Sequence, residues 1–316
     1  MTYSADTYKN KRAVVTGGAG FLGSHLCDQL LSLDNEVVCV DNLVGTHGST
    51  KNIDHLLNND KFKFINENIL DWSGHADLNG VDCIFNQAAS KMTVCLKDPA
   101  LDLEVNAKGT LQLLLSARDQ GVRKFIHGST GSVYGELVST QDETHPRTPE
   151  SFYGVSKLAG EAYCRIFAKT YGMDTTVFRY FHIIGPRQDD SDTGGVVPIF
   201  IRRMLDKQQI TIYGTGEQTR SFTSVFDVVR ANVLAALHPG MKNEVFNCAS
   251  GIQVTIQELA DFIIEKMDGN KEIVYADWRP GDILNFEVRN NKIKQFGMKF
   301  ETNWKKVVSS VIKSMN

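Results

Sequence analysis

Tyr153 and Lys157 are the side chains in this sequence whose types and spacing most clearly permit acid–base chemistry. They stand four residues apart in SFYGVSK, residues 151–157, and a helix over 152–170 would place both on one face. A phenol has a pKa of about 10, and an ammonium group one helical turn away lowers it. We therefore expect Lys157 to activate Tyr153 as a general base. The competing interpretation is a surface helix with an ordinary tyrosine and lysine.

A glycine-rich turn precedes this pair by about 130 residues. The run RAVVT, residues 12–16, is typical of a buried strand, and leucines at helical spacing follow over 24–33. Between them, strand, glycine turn and helix form the context of a dinucleotide-binding site. Gly17 can make the tight turn, Gly20 lets backbone N–H groups approach a pyrophosphate, and Gly23 allows close packing of helix and strand.

Asp41 follows the second predicted strand, residues 36–40, about 20 residues beyond the glycine turn. An acidic side chain at this point accepts hydrogen bonds from the adenosine ribose and repels a 2′-phosphate. The position therefore favours NAD over NADP as the cofactor. The alternative is that Asp41 only starts a loop, because Asp-Asn pairs are common in turns.

The composition argues against several other classes of protein. The chain has 316 residues and a formal net charge of −3 with interspersed signs, so nucleic acid is not an expected partner. No apolar run approaches about 20 residues, and the N-terminus lacks the apolar core of a signal peptide, so no membrane segment is expected. The six cysteines lack metal-ligand spacing, which predicts buried thiols, no metal site and a cytoplasmic location.

Predicted strands and helices alternate through the first half of the chain. Further strands are expected at 63–66, 81–86, 124–127 and 175–179, and helices at 47–58, 98–120 and 152–171. This alternation predicts an α/β fold with a Rossmann-type, doubly wound parallel sheet. We expect an NAD-binding domain over 1–180, to which 223–250 return, and a smaller C-terminal α/β substrate-binding lobe over 181–316.

Seven ordered motifs extend this interpretation over most of the chain. They are TGGAGFLG (16–23), VNAKGT (105–110), STGSVYG (129–135), YGVSK (153–157), FRYFHIIGPRQ (178–188), IYGTGEQTRSF (212–222) and RPGD (279–282). On these motifs the chain resembles the extended short-chain dehydrogenases/reductases, in their nucleotide-sugar epimerase and dehydratase branch. The resemblance implies an NAD-dependent enzyme that acts on a nucleotide sugar and regenerates its cofactor in each cycle.

The resemblance also implies catalytic and cofactor-binding roles by position. Thr130 would bond the sugar 4-hydroxyl and ease proton transfer to Tyr153, while Lys157 would also hold the nicotinamide ribose. Asn68 replaces an acid that the family places beside adenine, but its amide oxygen can still accept a hydrogen bond. The residues implied to contact NAD are Gly17, Gly20, Phe21, Leu22, Gly23, Asp41, Asn42, Asn68, Ile69, Gln87, Ala88, Ala89, Lys91, Asn106, Ser129, Tyr153, Lys157 and Tyr180.

Substrate contacts are implied in the same way. Arg220 and Arg279 match two arginines that grip the diphosphate, a charge that suits planar guanidinium groups, and Tyr213 matches an aromatic cover for the base. Their competing roles are solvated surface arginines and a core-packed tyrosine. The residues implied to contact substrate are Lys91, Thr130, Gly131, Ser132, Tyr153, His182, Val196, Val197, Tyr213, Arg220, Arg279, Asp282 and Phe286.

The branches of this family differ just after the catalytic threonine. The 4,6-dehydratases carry Asp-Glu there and the decarboxylases usually keep the Glu, whereas this chain has Gly131 and Ser132. Asp189 replaces an arginine that glucuronate epimerases use for the sugar carboxylate. Phe286 occupies a position where bulk disfavours N-acetylated sugars, although it could simply pack the lobe.

We therefore expect a C4 epimerase of the UDP-glucose/UDP-galactose type, which oxidises C4 transiently and returns hydride to the opposite face. The alternative is another member of the branch: a 4,6-dehydratase, a decarboxylase or a net C4 oxidoreductase on a UDP-, GDP-, CDP- or dTDP-sugar. A third possibility, from a different class, is a non-catalytic NAD-binding protein. The intact set of Thr130, Tyr153 and Lys157 argues against it.

Two positions depart from the family pattern. His182 replaces a common Asn whose amide contacts the diphosphate, and it could bind phosphate, act as an acid or base, or only pack. Phe152 replaces a Pro that usually precedes the active tyrosine. By resemblance we also expect a homodimer, in which helices 98–120 and 152–171 of both subunits form a four-helix bundle.

Overall fold

The centre of the protein is a parallel β-sheet. The computed structural model describes residues 4–90, 92–135, 140–191, 194–267, 269, 272–278 and 287–316. Its strands are β1 (Arg12–Thr16), β2 (Glu36–Val40), β3 (Phe62–Ile65), β4 (Val81–Asn86), β5 (Lys124–Thr130), β6 (Asp174–Tyr180), β7 (Ile183–Ile184), β8 (Ile210–Tyr213), β9 (Thr219–Arg220), β10 (Thr223–Ser224), β11 (Glu244–Cys248), β12 (Val254–Thr255) and β13 (Ile273–Ala276).

Seven of these strands form the central sheet, in the order β11-β6-β5-β4-β1-β2-β3, and every neighbouring pair is parallel. The strand order reverses between β1 and β4. In an open parallel sheet, a ligand binds beyond the carboxyl ends of the strands at such a reversal. The predicted Rossmann-type α/β fold is therefore confirmed, and the sheet places Thr16, Asn86 and Thr130 at one edge.

Helices cover both faces of the sheet. They are α1 (Phe21–Ser32), α2 (Ile69–Trp72), α3 (Met92–Cys95), α4 (Pro99–Leu103), α5 (Thr110–Asp119), α6 (Phe152–Tyr171), α7 (Val196–Leu205), α8 (Val225–Leu237), α9 (Ile256–Lys266), α10 (Asn291–Lys294) and α11 (Trp304–Met315). Val14 and Val15 of β1 are both fully buried, but they belong to two different apolar clusters. Successive side chains of a strand point to opposite faces, so one apolar run serves both layers.

Two predicted helices differ from the structure. Residues 47–58 contain turns and a single 3₁₀ turn at Asp54–Leu56, and His47 and Gly48 have φ of 54° and 80°. A left-handed backbone ends a helix, and the buried Asn52 amide donates instead to the carbonyl of Ala19 at 3.0 Å. The helix predicted over 98–120 is present as α4 and α5, but a π-helical segment, Glu104–Gly109, joins them.

The rest of the chain adds short strands and a separate apolar cluster. β8 pairs with β13, β9 with β12 and β7 with β10, each as a two-stranded sheet. Ile201, Leu259 and Val308 of α7, α9 and α11 are buried together in this cluster. β11 lies in the central sheet, although it follows most of these elements in sequence. The expected domain boundaries stay a prediction.

Three properties expected from composition can be compared with the fold. All six cysteines are buried, and none forms a disulfide. No helix among the described ranges is long and apolar enough to cross a bilayer. Within the same ranges, no cluster of His, Cys, Asp and Glu side chains has the geometry of a metal site.

Candidate active site

The glycine turn connects β1 to α1 and leaves no room for side chains. Gly17 has φ +67°, and a Cβ there would lie 2.8 Å from the backbone of Ala88. A Cβ on Gly23 would collide with the carbonyl oxygen of Gly17. Gly20 precedes α1 without a side-chain cap, so the first-turn amides of Phe21 and its neighbours are open to an anion. This cradle fits the pyrophosphate of NAD.

The helix after the turn begins three residues earlier than the sequence predicted, at Phe21 instead of residue 24. Leu22 and Gly23 therefore lie inside its first turn, and Gly23 is buried. The prediction started late because glycine disfavours helix interiors and the apolar spacing only becomes helical further on. The positive end of α1 therefore lies closer to β1 than predicted, at the place where a phosphate would bind.

Asp41 and Asn42 follow β2 beside this turn. The Asp41 carboxylate accepts hydrogen bonds from the backbone N–H groups of Ala19 at 3.0 Å and Leu43 at 2.7 Å. Burial raises the pKa of Asp41, and these backbone donors oppose the rise. Asn42 is exposed and accepts from the backbone of Val44 at 3.2 Å. Asp41 thus stabilises the glycine turn itself, in addition to its predicted contact with ribose.

The loops after β3 and β4 hold most other predicted cofactor residues. Asn68 caps α2 by accepting from Leu70 N–H at 3.0 Å, and its amide oxygen has a second lone pair for adenine. Ile69 is buried beside it. Ala88 packs against Gly17 and donates its N–H to Thr16 Oγ1 at 3.2 Å, whereas Ala89 is exposed.

Gln87 and Tyr180 meet across the carboxyl ends of β4 and β6. The Tyr180 hydroxyl lies 3.1 Å from Gln87 Oε1, and the Gln87 amide donates to Asn232 of α8 at 3.1 Å. A side chain on Gly128 would collide with the Gln87 amide and the Tyr180 ring. This small network fixes the edge of the cleft on the β6 side, and Asn232 is a member of it that the sequence did not suggest.

Helix α6 carries the predicted acid–base pair. Ser151 caps the helix by accepting from Gly154 N–H at 3.1 Å, which fixes the first turn and places Tyr153 in it. The side chain of Thr130, at the end of β5, lies close to the Tyr153 phenol and lowers its pKa. Lys157 lies one turn further along the helix and is only 2% exposed. Thr130, Tyr153 and Lys157 are therefore brought together.

Burial shifts the pKa values of this pair. Burial raises the pKa of Tyr153 to about 12, opposed by the Thr130 side chain and reinforced by the charge of Asp102. Burial lowers the pKa of Lys157 to about 8, opposed first by Glu161. The expected lowering of the phenol pKa by Lys157 and the nicotinamide charge together stays a prediction for the NAD-bound protein, because the cofactor-free value is set mainly by removal of water.

Ser129 contacts a buried ion pair. Its hydroxyl donates to Glu161 Oε1 at 2.6 Å, and Glu161 also forms a bidentate pair with the buried guanidinium of Arg179 at 2.9 and 2.7 Å. Arg179 in turn donates to the hydroxyl of Tyr134 at 2.7 Å. The Ser129 side chain therefore supports the site from beneath, and its contact with the cofactor stays a prediction.

Gly131 and Ser132 form a 3₁₀ turn after Thr130. A Cβ on Gly131 would collide with the ring of Phe181, so the position has no space for a side chain unless that ring moves. Ser132 Oγ lies 3.2 Å from Thr130 Oγ1, and the Ser132 N–H donates to the same oxygen at 3.2 Å. Ser132 therefore fixes the position of the Thr130 hydroxyl through both its backbone and its side chain.

His182 directly follows Phe181, on the substrate side of the cleft. Its φ is +36°, a left-handed backbone that a histidine adopts only under strain. Burial and the charge of Arg220 lower the pKa of His182 to about 3. The ring is neutral at physiological pH, so it does not serve as an imidazolium acid there.

The remaining described substrate residues lie on the short strands and on α7. Arg220 belongs to β9, which pairs antiparallel with β12, and its Nη1 donates to the carbonyl of Thr219 at 2.8 Å. Tyr213 ends β8 and is partly exposed. Val196 and Val197 begin α7, but the Val197 side chain is fully buried in the C-terminal apolar cluster.

Four positions predicted from the resemblance lie outside the described residues: Lys91, Arg279, Asp282 and Phe286. The predicted cofactor residue Asn106 is described and lies in the π-helical segment. Its side chain is buried, and its Oδ1 accepts from the N–H of Ser90 at 3.0 Å. Its other partners, Asp102 and Ser156, were not predicted. The only sequence signal for these two partners was the position of Asp102, an acid one helical turn before Asn106.

Comparison with known proteins places this geometry in a family. The family model described as the NAD-dependent epimerase/dehydratase family matches residues 13–249. A putative UDP-glucose 4-epimerase of Methanocaldococcus jannaschii is 35% identical over 307 residues, which cover 96% of this chain and 97% of the relative. The UDP-glucose 4-epimerase of Thermotoga maritima, solved with UDP-glucose, is 35% identical, with a TM-score of 0.90 and coverage of 96% and 98%.

Similar proteins carry several names within this family. The UDP-N-acetylglucosamine 4-epimerase of Methanobrevibacter ruminantium, solved with UDP-N-acetylmuramic acid, is 31% identical, with a TM-score of 0.91 and coverage of 97% and 98%. The UDP-glucuronic acid 4-epimerase of Bacillus cereus, solved with its substrate and NAD, is 30% identical, with a TM-score of 0.88 and coverage of 96% and 98%. A UDP-N-acetyl-α-D-glucosaminuronate decarboxylase of Bacillus cytotoxicus is 34% identical over 274 residues, covering 84% and 83%.

The matched residues span β1 to β11, and they include the glycine turn, Tyr153 and Lys157. The cofactor of the family is NAD, in agreement with the cradle at Gly17 and the acid at Asp41. The names of the relatives cover more than one reaction. The chain belongs to the NAD-dependent epimerase/dehydratase family of nucleotide-sugar enzymes, among the extended short-chain dehydrogenases/reductases.

Proposed function

We propose that the protein is a nucleotide-sugar C4 epimerase of the UDP-glucose/UDP-galactose type. The observation that carries the proposal is the proximity of Thr130 to the Tyr153 phenol, one helical turn from the buried Lys157. This group lies at the same edge of the sheet as the glycine turn, because β1, β4 and β5 are parallel neighbours. A sugar between them would present C4 to the cofactor and its 4-hydroxyl to the phenol.

In this proposal Tyr153 accepts the proton of the 4-hydroxyl, and Thr130 orients that hydroxyl. NAD, when bound, supplies the acceptor and later the donor of hydride at C4, together with a positive charge beside the phenol. Lys157 holds the nicotinamide ribose. Because burial holds the pKa of Tyr153 at about 12, the phenol needs positive charge from both neighbours to act near neutral pH.

The residues that would hold NAD follow from the site. Gly17, Gly20 and Gly23 shape the pyrophosphate cradle, and the first-turn amides of α1 face it. Asp41 would accept from the adenosine ribose, and Asn68 from adenine. Exclusion of water by the closed lobe would strengthen each of these polar contacts.

The turn after Thr130 favours epimerisation over the other reactions of the family. Elimination of water across C5 and C6 needs an acid and a base beside the threonine, but Gly131 and Ser132 supply neither. An aspartate could not replace Gly131 without displacing Phe181. His182 is neutral and does not substitute for the missing acid.

The substrate assignment rests on the nucleotide side of the cleft. Arg220 offers a guanidinium to a diphosphate, and Tyr213 is the proposed cover for the base. Arg279 and Phe286 enter this proposal from the sequence alone. UDP-glucose and UDP-galactose fit a pocket without a carboxylate partner, since Asp189 would repel a glucuronate. A GDP-, CDP- or dTDP-sugar is the alternative.

We also propose that two copies associate through α4, α5 and α6. Large apolar side chains are exposed on these helices, which a helix–helix interface would cover. They are Leu101, Leu103, Leu115, Val155 and Ile166. Light scattering should give twice the chain mass, and a V155E/I166E variant should give the monomer mass. A monomer before substitution would contradict this part of the proposal.

The test of the reaction is a panel of UDP-, GDP-, CDP- and dTDP-sugars, incubated with purified protein and analysed by NMR. We expect interconversion of UDP-glucose and UDP-galactose without added NAD, because the cofactor is regenerated in each cycle. Loss of water or carbon dioxide from any substrate, or a requirement for stoichiometric NAD, would overturn the assignment.

A further inference from the structure

A buried carboxylate lies against the catalytic helix and has no role in the chemistry proposed above. Asp102 belongs to α4, immediately before the π-helical segment, and is fully buried. Its Oδ1 accepts from Asn106 Nδ2 at 2.9 Å, and its Oδ2 accepts from Ser156 Oγ at 2.6 Å. Charge-assisted bonds of this kind are short and strong, and a buried carboxylate is costly unless it is well bonded.

Ser156 transmits this contact to the reacting residues. It lies between Tyr153 and Lys157 on α6, and its hydroxyl lies 3.0 Å from the carbonyl of Tyr153. One hydroxyl proton cannot serve both acceptors, and the shorter distance assigns it to Asp102. Ser156 Oγ also accepts from Asn106 Nδ2 at 3.1 Å. The three side chains therefore form a closed triangle of hydrogen bonds on the back of the catalytic helix.

The same triangle reaches the cofactor loop. Asn106 Oδ1 accepts from the N–H of Ser90, in the loop that follows β4. A π-helical segment is rare and marks a place where the backbone is held against its usual hydrogen-bond pattern. Asp102 thus connects three segments whose relative positions matter for the site: the loop after β4, the π-helical segment and α6.

Charge provides an independent link between Asp102 and the reacting pair. Its negative charge raises the pKa of both Tyr153 and Lys157. It therefore favours the ammonium form of Lys157 and disfavours premature ionisation of the phenol. The described titratable groups that influence this pair are Asp102 from α4, Cys95 from α3, Glu161 and Cys164 from α6 and His127 from β5.

We propose that Asp102 is a positioning residue for Tyr153 and Lys157: it locks the π-helical segment onto the catalytic helix, and its charge offsets that of the lysine. The proposal rests on the proposed function of the pair. It assigns a role to a carboxylate that touches neither the sugar nor the cofactor.

The decisive comparison is between D102N and D102A. Asparagine keeps the shape: its Oδ1 can accept from Asn106, and its Nδ2 can donate to Ser156 Oγ, so D102N removes the charge and keeps both contacts with one bond reversed. D102A removes both bonds and leaves the triangle open. The matched control is D98N on the exposed N-cap of the same helix, where Asp98 accepts from Leu101 N–H at 2.9 Å and asparagine also caps well.

The first readout does not require substrate turnover. Titration of tyrosinate absorbance in NAD-loaded protein, with the Y153F variant of each background subtracted, isolates the phenol of Tyr153. We expect it to ionise at lower pH in D102N than in the parent, and at the parent pH in D98N. Ionisation at the same pH in D102N and the parent would overturn the electrostatic part of the proposal.

The second readout is turnover on a substrate identified from the panel. We expect D102A to lower kcat by about tenfold to a hundredfold with little change in KM, because small misplacements of reacting groups are costly. D102N should retain most of the kcat that D102A loses, and its pH–rate profile should lie at lower pH than that of the parent. Unchanged kcat in D102A would overturn the positioning role. Full activity of Y153F would instead overturn the proposed function, so the two failures are distinguishable.

Discussion

The cofactor side and the nucleotide-sugar side of this cleft are built from different kinds of structure. On the cofactor side, the long strands β1 and β4 present backbone atoms, and Gly17 lies against Ala88 with no space for a side chain. On the nucleotide-sugar side, Arg220 stands on a strand of two residues and His182 has a strained, left-handed backbone. The first side binds through main-chain shape, whereas the second binds through side chains.

Because of this difference, we expect amino-acid substitutions on the two sides of the cleft to have different effects. Main-chain shape is fixed by the sheet, so changes there should cost cofactor affinity or folding before they alter specificity. Side chains on short strands can be exchanged at lower cost to the fold, which suits a family whose members act on different sugars. Tyr153 lies between the two sides, so its replacement by phenylalanine should damage catalysis and spare both binding events.

The largest expected effect tests that middle position. Y153F should lower kcat by about a thousandfold, because it removes the proton acceptor, and should leave bound NAD in place. Turnover of the nucleotide sugar and release of NAD on denaturation measure the two quantities. The exposed Tyr171 at the end of the same helix supplies the control Y171F, which should retain full activity. A fully active Y153F would contradict the account.

The next effect tests the main-chain side. G17A should weaken NAD binding by at least about tenfold. The new methyl group would collide with the backbone of Ala88, and the positive φ at this position is unfavourable for alanine. Gly121 offers a matched control, since its φ is +69° but a Cβ there meets nothing within 4 Å. G121A should lower the melting temperature and leave NAD affinity unchanged. Equal NAD affinity in G17A and the parent would contradict the cradle.

A pH-dependent effect on stability should follow from the buried lysine. The pKa of Lys157 is about 8 in the folded protein, below its ordinary value, so the unfolded chain holds this proton more tightly. The buried ammonium therefore costs up to about 3 kcal/mol below pH 8, and this cost fades as pH rises toward about 10.5. K157M should stabilise the NAD-free protein at neutral pH and lose that advantage in alkali.

Urea unfolding of NAD-free protein at neutral and alkaline pH measures this difference. The control is K169M, which removes an exposed lysine from the last turn of the same helix. It should give no gain at either pH. A K157M variant that is less stable than the parent at neutral pH would show that burial does not destabilise the ammonium.

The smallest expected effect tests the side-chain side of the comparison. R220M should raise KM for the nucleotide sugar by about tenfold, because charge-assisted bonds to the diphosphate are lost, with kcat little changed. NAD content should be unaffected. Substitution of the exposed Arg165 on α6 with methionine serves as the control. A loss of NAD in R220M, with KM unchanged, would erase the distinction between the two sides.

The sequence predicted the central sheet well for a physical reason. The bounds of β1, β2 and β4 agree with the prediction to the residue, because buried parallel strands are continuous apolar runs that can be identified locally. Helix α6 was also predicted with its full bounds. The helix expected at 47–58 failed because Asn52 makes its hydrogen bond with a distant part of the chain.

The candidate site divides in the same way. The glycine turn, Thr130, Tyr153 and Lys157 could be identified because each belongs to a local motif. The hydrogen bonds between Asp102 and Ser156 join residues far apart in sequence, and no local pattern encodes them. The burial that raises the pKa of Tyr153 could not be predicted for a related reason, since it depends on the packing of the whole site.

The most direct test of the account follows a hydrogen isotope at C4. UDP-glucose labelled with deuterium at C4 is incubated with the protein in ordinary water, without added NAD, and the product is analysed by NMR. We predict UDP-galactose with deuterium retained at C4, because the same hydride leaves and returns within one closed site. Deuterium lost to solvent, moved to C6, or found in a product that has lost water or carbon dioxide would contradict the account.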